Sequence, residues 1–203
     1  VGRSLIYFLI ALFTAFPLRG ENTLNGVKKT FASITSFTAA FSQMSAPAMG
    51  DTQRFEGTID LSRPSKVWME ISSPERQLIV YNGDRAWLYL PEENICYVYS
   101  SLSIGNLSRL PEYIFDPFEK LTVDTFFTAD THLVISFTAR DDDPFVEKVD
   151  LTVSNDSFLP QEIFILDRSG NRITYVFSRL TINETEKGSF TFTPPSSAEI
   201  IEH

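Results

Sequence analysis

The residues whose types could support catalysis or metal binding are few. They are the two histidines His132 and His203, the single cysteine Cys96, and the acidic run Asp141-Asp142-Asp143. Nucleophilic catalysis needs a serine or cysteine within reach of a base that a third group orients, and no serine, histidine and carboxylate set occurs at a recognisable spacing. His132 opens a strand pattern, where a surface or capping role is expected rather than general-base work. Cys96 sits in the strand pattern Ile95–Ser100 and reads as a small buried hydrophobe, and a lone cysteine can form no intramolecular disulfide. The acidic run offers hard oxygen ligands for calcium. A loop of the EF-hand kind, however, needs a glycine at its sixth position and a distal glutamate, and Pro144 interrupts this one, so a solvated hairpin tip is expected. The scattered glycines form no phosphate-cradling loop. These residues point to no enzyme, no cofactor and no metal.

Binding of something apolar remains. Eighteen phenylalanines in 203 residues either fill a β core or line an internal apolar cavity, and the sequence leaves both readings open. The formal net charge of −9, which grows more negative without Arg3 and Arg19, argues against nucleic acid and against anionic membrane surfaces as partners. Arg63 carries five donors in a rigid, permanently charged fork. Beside Pro64, at the end of a hairpin, its ordinary role would be a surface arginine.

The elements that must position these residues are mostly strands. Phe55, Gly57, Ile59 and Leu61 alternate with Glu56, Thr58, Asp60 and Ser62, which is the period-2 pattern of a strand with one apolar face. Val67, Met69 and Ile71 repeat it, with Trp68 and Glu70 on the other face. Gln77–Tyr81 and Arg85–Leu90 follow around Asn82-Gly83, a pair suited to a type I′ hairpin. Further strands are expected at Ser36–Gln43, Ile95–Ser100, Thr131–Ala139, Val146–Val153, Leu159–Leu166, Asn171–Leu180 and Ser189–Thr193, joined by segments with turn chemistry.

Two stretches break the strand rhythm. Leu24, Val27, Phe31 and Ile34 recur at helical spacing behind Thr23, a candidate N-cap. Leu102–Phe118 has helical spacing interrupted by Gly105 and Pro111, which predicts short helical pieces. The uncharged run Leu5–Phe16 behind Arg3 has the length of a signal-peptide core and is short for a membrane span. Residues 1–20 therefore read as a signal peptide and 21–203 as one domain in an extracytoplasmic space, the periplasm in a bacterium with two membranes. No cysteine follows the run, so lipidation of this chain is not expected. Some eleven antiparallel strands joined by hairpins exclude a parallel α/β sheet.

The spacing R-P-(nine residues)-P-x-x-Q-L-I-V-x-N-G-x-x-x-W-x-Y-x-P is carried by Arg63, Pro64, Pro74, Gln77, Leu78, Ile79, Val80, Asn82, Gly83, Trp87, Tyr89 and Pro91. It resembles the periplasmic outer-membrane lipoprotein carriers of the LolA family. Phe190-Thr191-Phe192-Thr193-Pro194-Pro195 is similar to that family's F-x-F-x-P-P segment, in the same order and at about the same separation. The resemblance implies a mainly β fold with helices (α+β), an incomplete antiparallel β-barrel of about eleven strands closed by a helical lid around an apolar cavity. It implies a soluble carrier that shuttles lipoproteins from the inner to the outer membrane by burying their acyl chains. The partners implied are acylated lipoproteins, an inner-membrane ABC-type lipoprotein-releasing complex and an outer-membrane lipoprotein acceptor, and the carrier itself is expected to be a monomer.

In the family the arginine at the position of Arg63 reaches the lid and hydrogen-bonds backbone carbonyls, latching the empty cavity. Val67 and Met69 stand at offsets where the family commonly places cavity-facing aromatics, a departure that alters the cavity's shape. Met69 is flexible enough to line an adaptable pocket. Val27, Phe31 and Ile34 are expected on the underside of the lid, and Phe55 and Ile59 complete the expected lining. Trp87 and Tyr89 are expected in the core. Some family members add a C-terminal loop and strand, for which the residues after Pro195 leave little room. The same fold could instead carry a phospholipid, a glycolipid or another hydrophobic ligand. Half-barrels that sense mislocalised lipoproteins usually carry a second domain, which is not expected here, and a count of only two histidines disfavours a lipid hydrolase.

Overall fold

The computed structural model describes residues 18–99, 109–184 and 190–203. Helix α1 spans Leu18–Ser33, so it runs through the expected boundary at Gly20, while the apolar run Leu5–Phe16 lies outside the described residues. The strands are β1 (Ser36–Ala46), β2 (Gln53–Ser62), β3 (Lys66–Ser73), β4 (Gln77–Tyr81), β5 (Ala86–Leu90) and β6 (Ile95–Tyr99). After the short helices α2 (Leu110–Phe115) and α3 (Pro117–Lys120) come β7 (Thr122–Ala129), β8 (His132–Thr138), β9 (Val146–Ser154), β10 (Pro160–Asp167), β11 (Arg172–Ile182) and β12 (Glu199–Glu202).

The twelve strands form one open sheet in the order β12-β6-β5-β4-β3-β2-β1-β11-β10-β9-β8-β7. Every pair is antiparallel except β12 with β6, which is parallel. The long strand β1 joins the two halves, pairing with β2 on one side and β11 on the other. Alternation decides which side chains meet the helices. Phe37, Ala39 and Phe41 of β1, Ile59 and Leu61 of β2, and Val67, Met69 and Ile71 of β3 are buried in the main core, while their neighbours in sequence point the other way. Each of these side chains larger than Ala39, taken fully out of water, contributes roughly 1.5–3 kcal/mol.

A second, smaller core lies on the opposite face, where Val80, Trp87, Cys96 and Val98 are buried with Trp68, Leu78, Tyr89 and Phe192 packed against them. Trp68 is thus on the far face from Val67 and Met69, as alternation requires. Trp87 belongs to this second core, with Tyr89 at its margin. Cys96 is fully buried there, the small-hydrophobe role its pattern indicates.

Several expectations need correction. Thr23 is not an N-cap, because α1 begins at Leu18 and carries Thr23 in its interior. The count is twelve strands among the described residues, because Thr122–Ala129 and Glu199–Glu202 are strands as well. The segment expected as the last strand, Ser189–Thr193, is not one: residues 190–193 pair in no ladder, and Ser189 lies outside the described residues. Phe190 and Phe192 alternate because both pack, not because their backbone pairs. The residues after Pro195, expected to leave little room for a further loop and strand, do include a short strand, β12.

Asn82-Gly83 is likewise not a two-residue type I′ turn. β4 ends at Tyr81 and β5 begins at Ala86, only Gly83 has a positive φ, of 109°, and the Asn82 side chain accepts hydrogen bonds from the backbone N–H groups of Asp84 and Arg85 at 2.9 Å each. An Asx-type turn over four residues replaces the tight one. Short helical pieces do follow β6, and Pro111 occupies the first turn of α2, where its missing N–H costs nothing. Residues 102–108 of that expected stretch lie outside the described residues.

Candidate functional site

Helix C-termini leave carbonyl oxygens without intrahelical partners and carry the negative end of the helix dipole. In this fold the C-terminal ends of α1 and α2 converge over the turn between β2 and β3, and Arg63 stands in that turn. Its backbone N–H donates to Thr35 O at 3.0 Å, which anchors the turn beneath α1. Its Nε–H donates to Ile34 O at 2.7 Å, and its Nη2 donates to Phe115 O at 2.9 Å and Phe31 O at 3.4 Å. Nη1 donates to both carboxylate oxygens of Asp116, at 2.8 and 2.7 Å. The guanidinium also lies over the Phe115 ring, 5.1 Å from its centroid. One side chain thereby satisfies carbonyls of both helices and a carboxylate between α2 and α3, which only the planar five-donor fork of arginine can do.

Asn183, just past β11, completes the end of α1. Its Nδ2 donates to Ser33 O at 2.9 Å, and its Oδ1 accepts from Thr35 N at 2.6 Å and Thr35 Oγ1 at 3.0 Å. Asn183 has φ 58°, in the left-handed region that asparagine tolerates. No sequence signal marked Asn183 or Asp116, because both act on groups brought near only by the folded chain.

At the other end of α2, Arg109 Nη1 donates to Asp143 Oδ2 at 2.5 Å, and Arg109 also reaches Glu112 Oε2 at 3.3 Å. Asp143 Oδ1 accepts from the backbone N–H groups of Phe145 and Val146, at 2.9 and 3.0 Å. Burial pushes the Asp143 carboxyl pKa up, but those two N–H groups and the Arg109 guanidinium outweigh it and hold the carboxyl below its ordinary value. Asp143 is therefore not part of a solvated tip: its side chain is only 9% exposed. Among the described residues no cluster of histidine, cysteine and carboxylates is arranged to hold a metal. His132 is exposed at the start of β8, sharing a hydrogen bond with the Thr131 hydroxyl.

The expected lining residues meet in one apolar core. Val27 and Phe31 of α1 and Ile34 just past its end share one buried cluster with Ile59, Val67 and Met69 of the sheet, all at most 1% exposed, and Phe55 is partly buried against that cluster. Leu110, Tyr113, Ile114 and Phe115 of α2 complete the same core. Phe118 of α3 is wedged edge-on between Phe31 and Phe137, at 6.3 and 5.3 Å between ring centroids. At the seam between α1 and α3 a cleft of about 260 Å³ opens between Phe31, Phe115, Pro117 and Phe118, with Lys28 over the Phe118 ring. A larger open groove of about 550 Å³ lies at Ser42, Glu56, Thr58, Glu70 and Ser178. Those positions alternate with the core-facing ones, and Ala40, Phe41 and Val176 share the lining with them.

A sequence model of the family described as outer membrane lipoprotein carrier protein LolA matches residues 32–193. The chain belongs to the LolA family. It is 27% identical to an outer-membrane lipoprotein carrier protein of Chromohalobacter salexigens, covering 92% of this chain and 91% of that protein. A protein of the same name from Methylobacillus flagellatus is also 27% identical, over 95% of both chains. The crystal structure of an uncharacterized conserved protein from Thermus thermophilus shares the fold with a TM-score of 0.54 at 11% identity, covering 91% of this chain and 99% of that one. Proteins of the LolA family are periplasmic lipoprotein carriers and not enzymes.

Proposed function

We propose that this LolA-family chain, as one domain over residues 21–203, is a soluble periplasmic carrier that buries the acyl chains of lipoproteins between its helices and its sheet. On this reading the sheet is the wall of an incomplete barrel, and α1, α2 and α3 are its lid. The observation that carries it is the Arg63 guanidinium, which holds the C-terminal ends of α1 and α2 together over an apolar core. Both Arg63 and Asp116 are partly exposed, with side chains 29% and 27% accessible. Water competes for such a tie, so it can be undone at modest cost.

A carrier needs that property. Each methylene taken from water contributes about 0.8 kcal/mol, enough for even part of one acyl chain to offset the opening of the lid. Release requires that the open and closed states differ little in energy, so that cargo shifts the balance. Val27, Phe31, Ile34, Phe55, Ile59, Val67 and Met69 fill one another's space in the closed state and would line the acyl site once the lid lifts. The cargo comes from an inner-membrane ABC-type releasing complex and goes to an outer-membrane lipoprotein acceptor, and the carrier works as a monomer. Leu5–Phe16 serves as the core of the export signal.

The test is extraction of a triacylated lipoprotein from inner-membrane vesicles containing the releasing complex, using protein that begins at Glu21. Wild type is expected to carry lipoprotein into the soluble fraction and pass it to acceptor-bearing membranes. Arg63→Leu is expected to take up cargo and fail to hand it on. If Arg63→Leu transfers cargo as wild type does, Arg63 is not the latch. Solubilised phospholipid or glycolipid with no lipoprotein would move the cargo to free lipid on the same fold.

A further inference from the structure

Among the described residues three buried side-chain atoms lack a hydrogen-bond partner: Tyr113 Oη, Asp150 Oδ1 and Gln161 Oε1. The last two are acceptors on sheet strands, and the other oxygen of Asp150 pairs with Lys148 at 2.9 Å. Tyr113 is different in kind. It is a donor, it is fully buried, and it sits in the middle of α2 in the core between helices and sheet. The other core-facing residues of α2, Leu110, Ile114 and Phe115, are apolar. A buried hydroxyl with no partner weakens a fold, and phenylalanine would fill the same space without that cost. Packing therefore explains the ring of Tyr113 and leaves its hydroxyl unexplained.

Position and chemistry suggest what the hydroxyl meets. Tyr113 lies one helical turn from each tie of α2, to Arg109 and to Asp116, so it is on the part of the lid that must move if both ties open. The Arg109 guanidinium is 6.0 Å from the Tyr113 ring and only 21% exposed, which places the ring just inside the rim. Burial raises the phenol's pKa well above its ordinary value, so the group stays a neutral donor. Acyl methylenes offer no acceptor. The ester carbonyl that joins an acyl chain to glycerol does, and it lies where the chain meets the headgroup, at the mouth of an acyl site.

We propose that the Tyr113 hydroxyl donates a hydrogen bond to the ester carbonyl oxygen of a glycerol-linked acyl chain once α2 lifts, so that Tyr113 distinguishes esterified lipid from plain hydrocarbon. This rests on the carrier reading. A site built around a polar group discriminates against ligands that leave that group unpaired. The same carbonyl occurs in a diacylglyceryl-cysteine lipopeptide and in a diacyl phospholipid.

The test measures the affinity of wild type and Tyr113→Phe for a diacylglyceryl-cysteine peptide and its dialkyl-ether analogue, and for a diacyl phospholipid and its diether. Wild type should bind at least one ester ligand roughly three- to tenfold more tightly than its ether, the scale of one neutral hydrogen bond. Tyr113→Phe should abolish that gap, bind the ether as wild type does, and melt at the same or a higher temperature. The pair that shows the gap identifies the ester's source. A wild type that binds ester and ether equally overturns the role of Tyr113 and leaves the carrier reading standing, as does a gap that survives in Tyr113→Phe. A lower melting temperature for the variant would mean that the hydroxyl serves the fold, and that too overturns the proposal. If wild type binds none of the four ligands, the carrier reading fails and takes the proposal with it.

Discussion

Gly57 shows how much a single position can be required by the backbone around it. It sits in β2 where the register with β3 shifts, and a Cβ placed there would fall inside contact distance of the backbone carbonyl oxygen of Glu70. Backbone cannot swing aside as the end of a side chain can, so Gly57→Ala should cost on the order of 3 kcal/mol. Chemical denaturation would show this as a lower midpoint, and an unchanged midpoint would mean that β2 and β3 separate more easily than their pairing suggests. The glycine was legible only as a core-facing place in an alternating strand. Arg63 was more legible, because it stands in the R-P turn that the family shares. Its partners were not, since Ile34, Phe115 and Asp116 lie 29, 52 and 53 residues away. A residue's type shows what it can donate, and only the converging helix ends show what accepts.

At the scale of elements, α2 is too short to stand alone, since an isolated six-residue helix is far below the length stable in water. It is held by its apolar face and by a charged tie at each end, Arg63–Asp116 and Arg109–Asp143. Asp143 divides its two roles between its oxygens: Oδ1 caps the β8–β9 connection and Oδ2 takes the guanidinium. Asp143→Asn keeps the capping acceptor and removes the ion pair, at an expected cost of about 2 kcal/mol at neutral pH. Because the folded carboxyl titrates below its unfolded value, its contribution is fully present above the unfolded pKa of about 4 and is lost as pH falls through the folded one. The stability gap between wild type and Asp143→Asn should therefore be constant from pH 7 to about pH 5 and shrink only in stronger acid. A gap that narrowed between pH 7 and 5 would contradict this account of the tie.

The same scale explains what the alternation missed. β7 is an edge strand whose positions are mostly exposed, so no selection for one apolar face printed a period of two on Thr122–Ala129. β12 is four residues long, Glu-Ile-Ile-Glu, too short to show any period. Strands with one face in the core, such as β1 to β3 and β8 to β10, were readable because burial imposes the pattern that reveals them.

The whole molecule is one sheet with a core on each face, and its C-terminal residues serve the smaller one. Residues 190–203 run from β3, where Lys66 lies over the Phe190 ring, across the smaller core to β6. Phe192 packs on Tyr89 with 5.4 Å between ring centroids, Asn94 donates to Ser197 O at 2.6 Å, β12 pairs with β6, and the His203 ring stacks on Tyr99 at 5.1 Å. This strap closes what would otherwise be an exposed edge beside an apolar patch containing Trp87 and Cys96, a surface prone to pair with another chain. Cys96 makes the strap measurable, because its thiol is fully buried and burial raises its pKa. In wild type it should react with a thiol reagent only slowly, through openings that expose it. Phe192→Ala removes the ring that anchors the strap over this patch without touching the core beneath the helices. Labelling of Cys96 should then accelerate on the order of tenfold, corresponding to about 1.4 kcal/mol of lost strap packing, while the melting transition of the main core stays nearly in place. If labelling and melting shift together, the two faces open as one cooperative unit and the strap is not an independent element. If labelling does not change, the strands β5, β6 and β12 protect the thiol without help from Phe192.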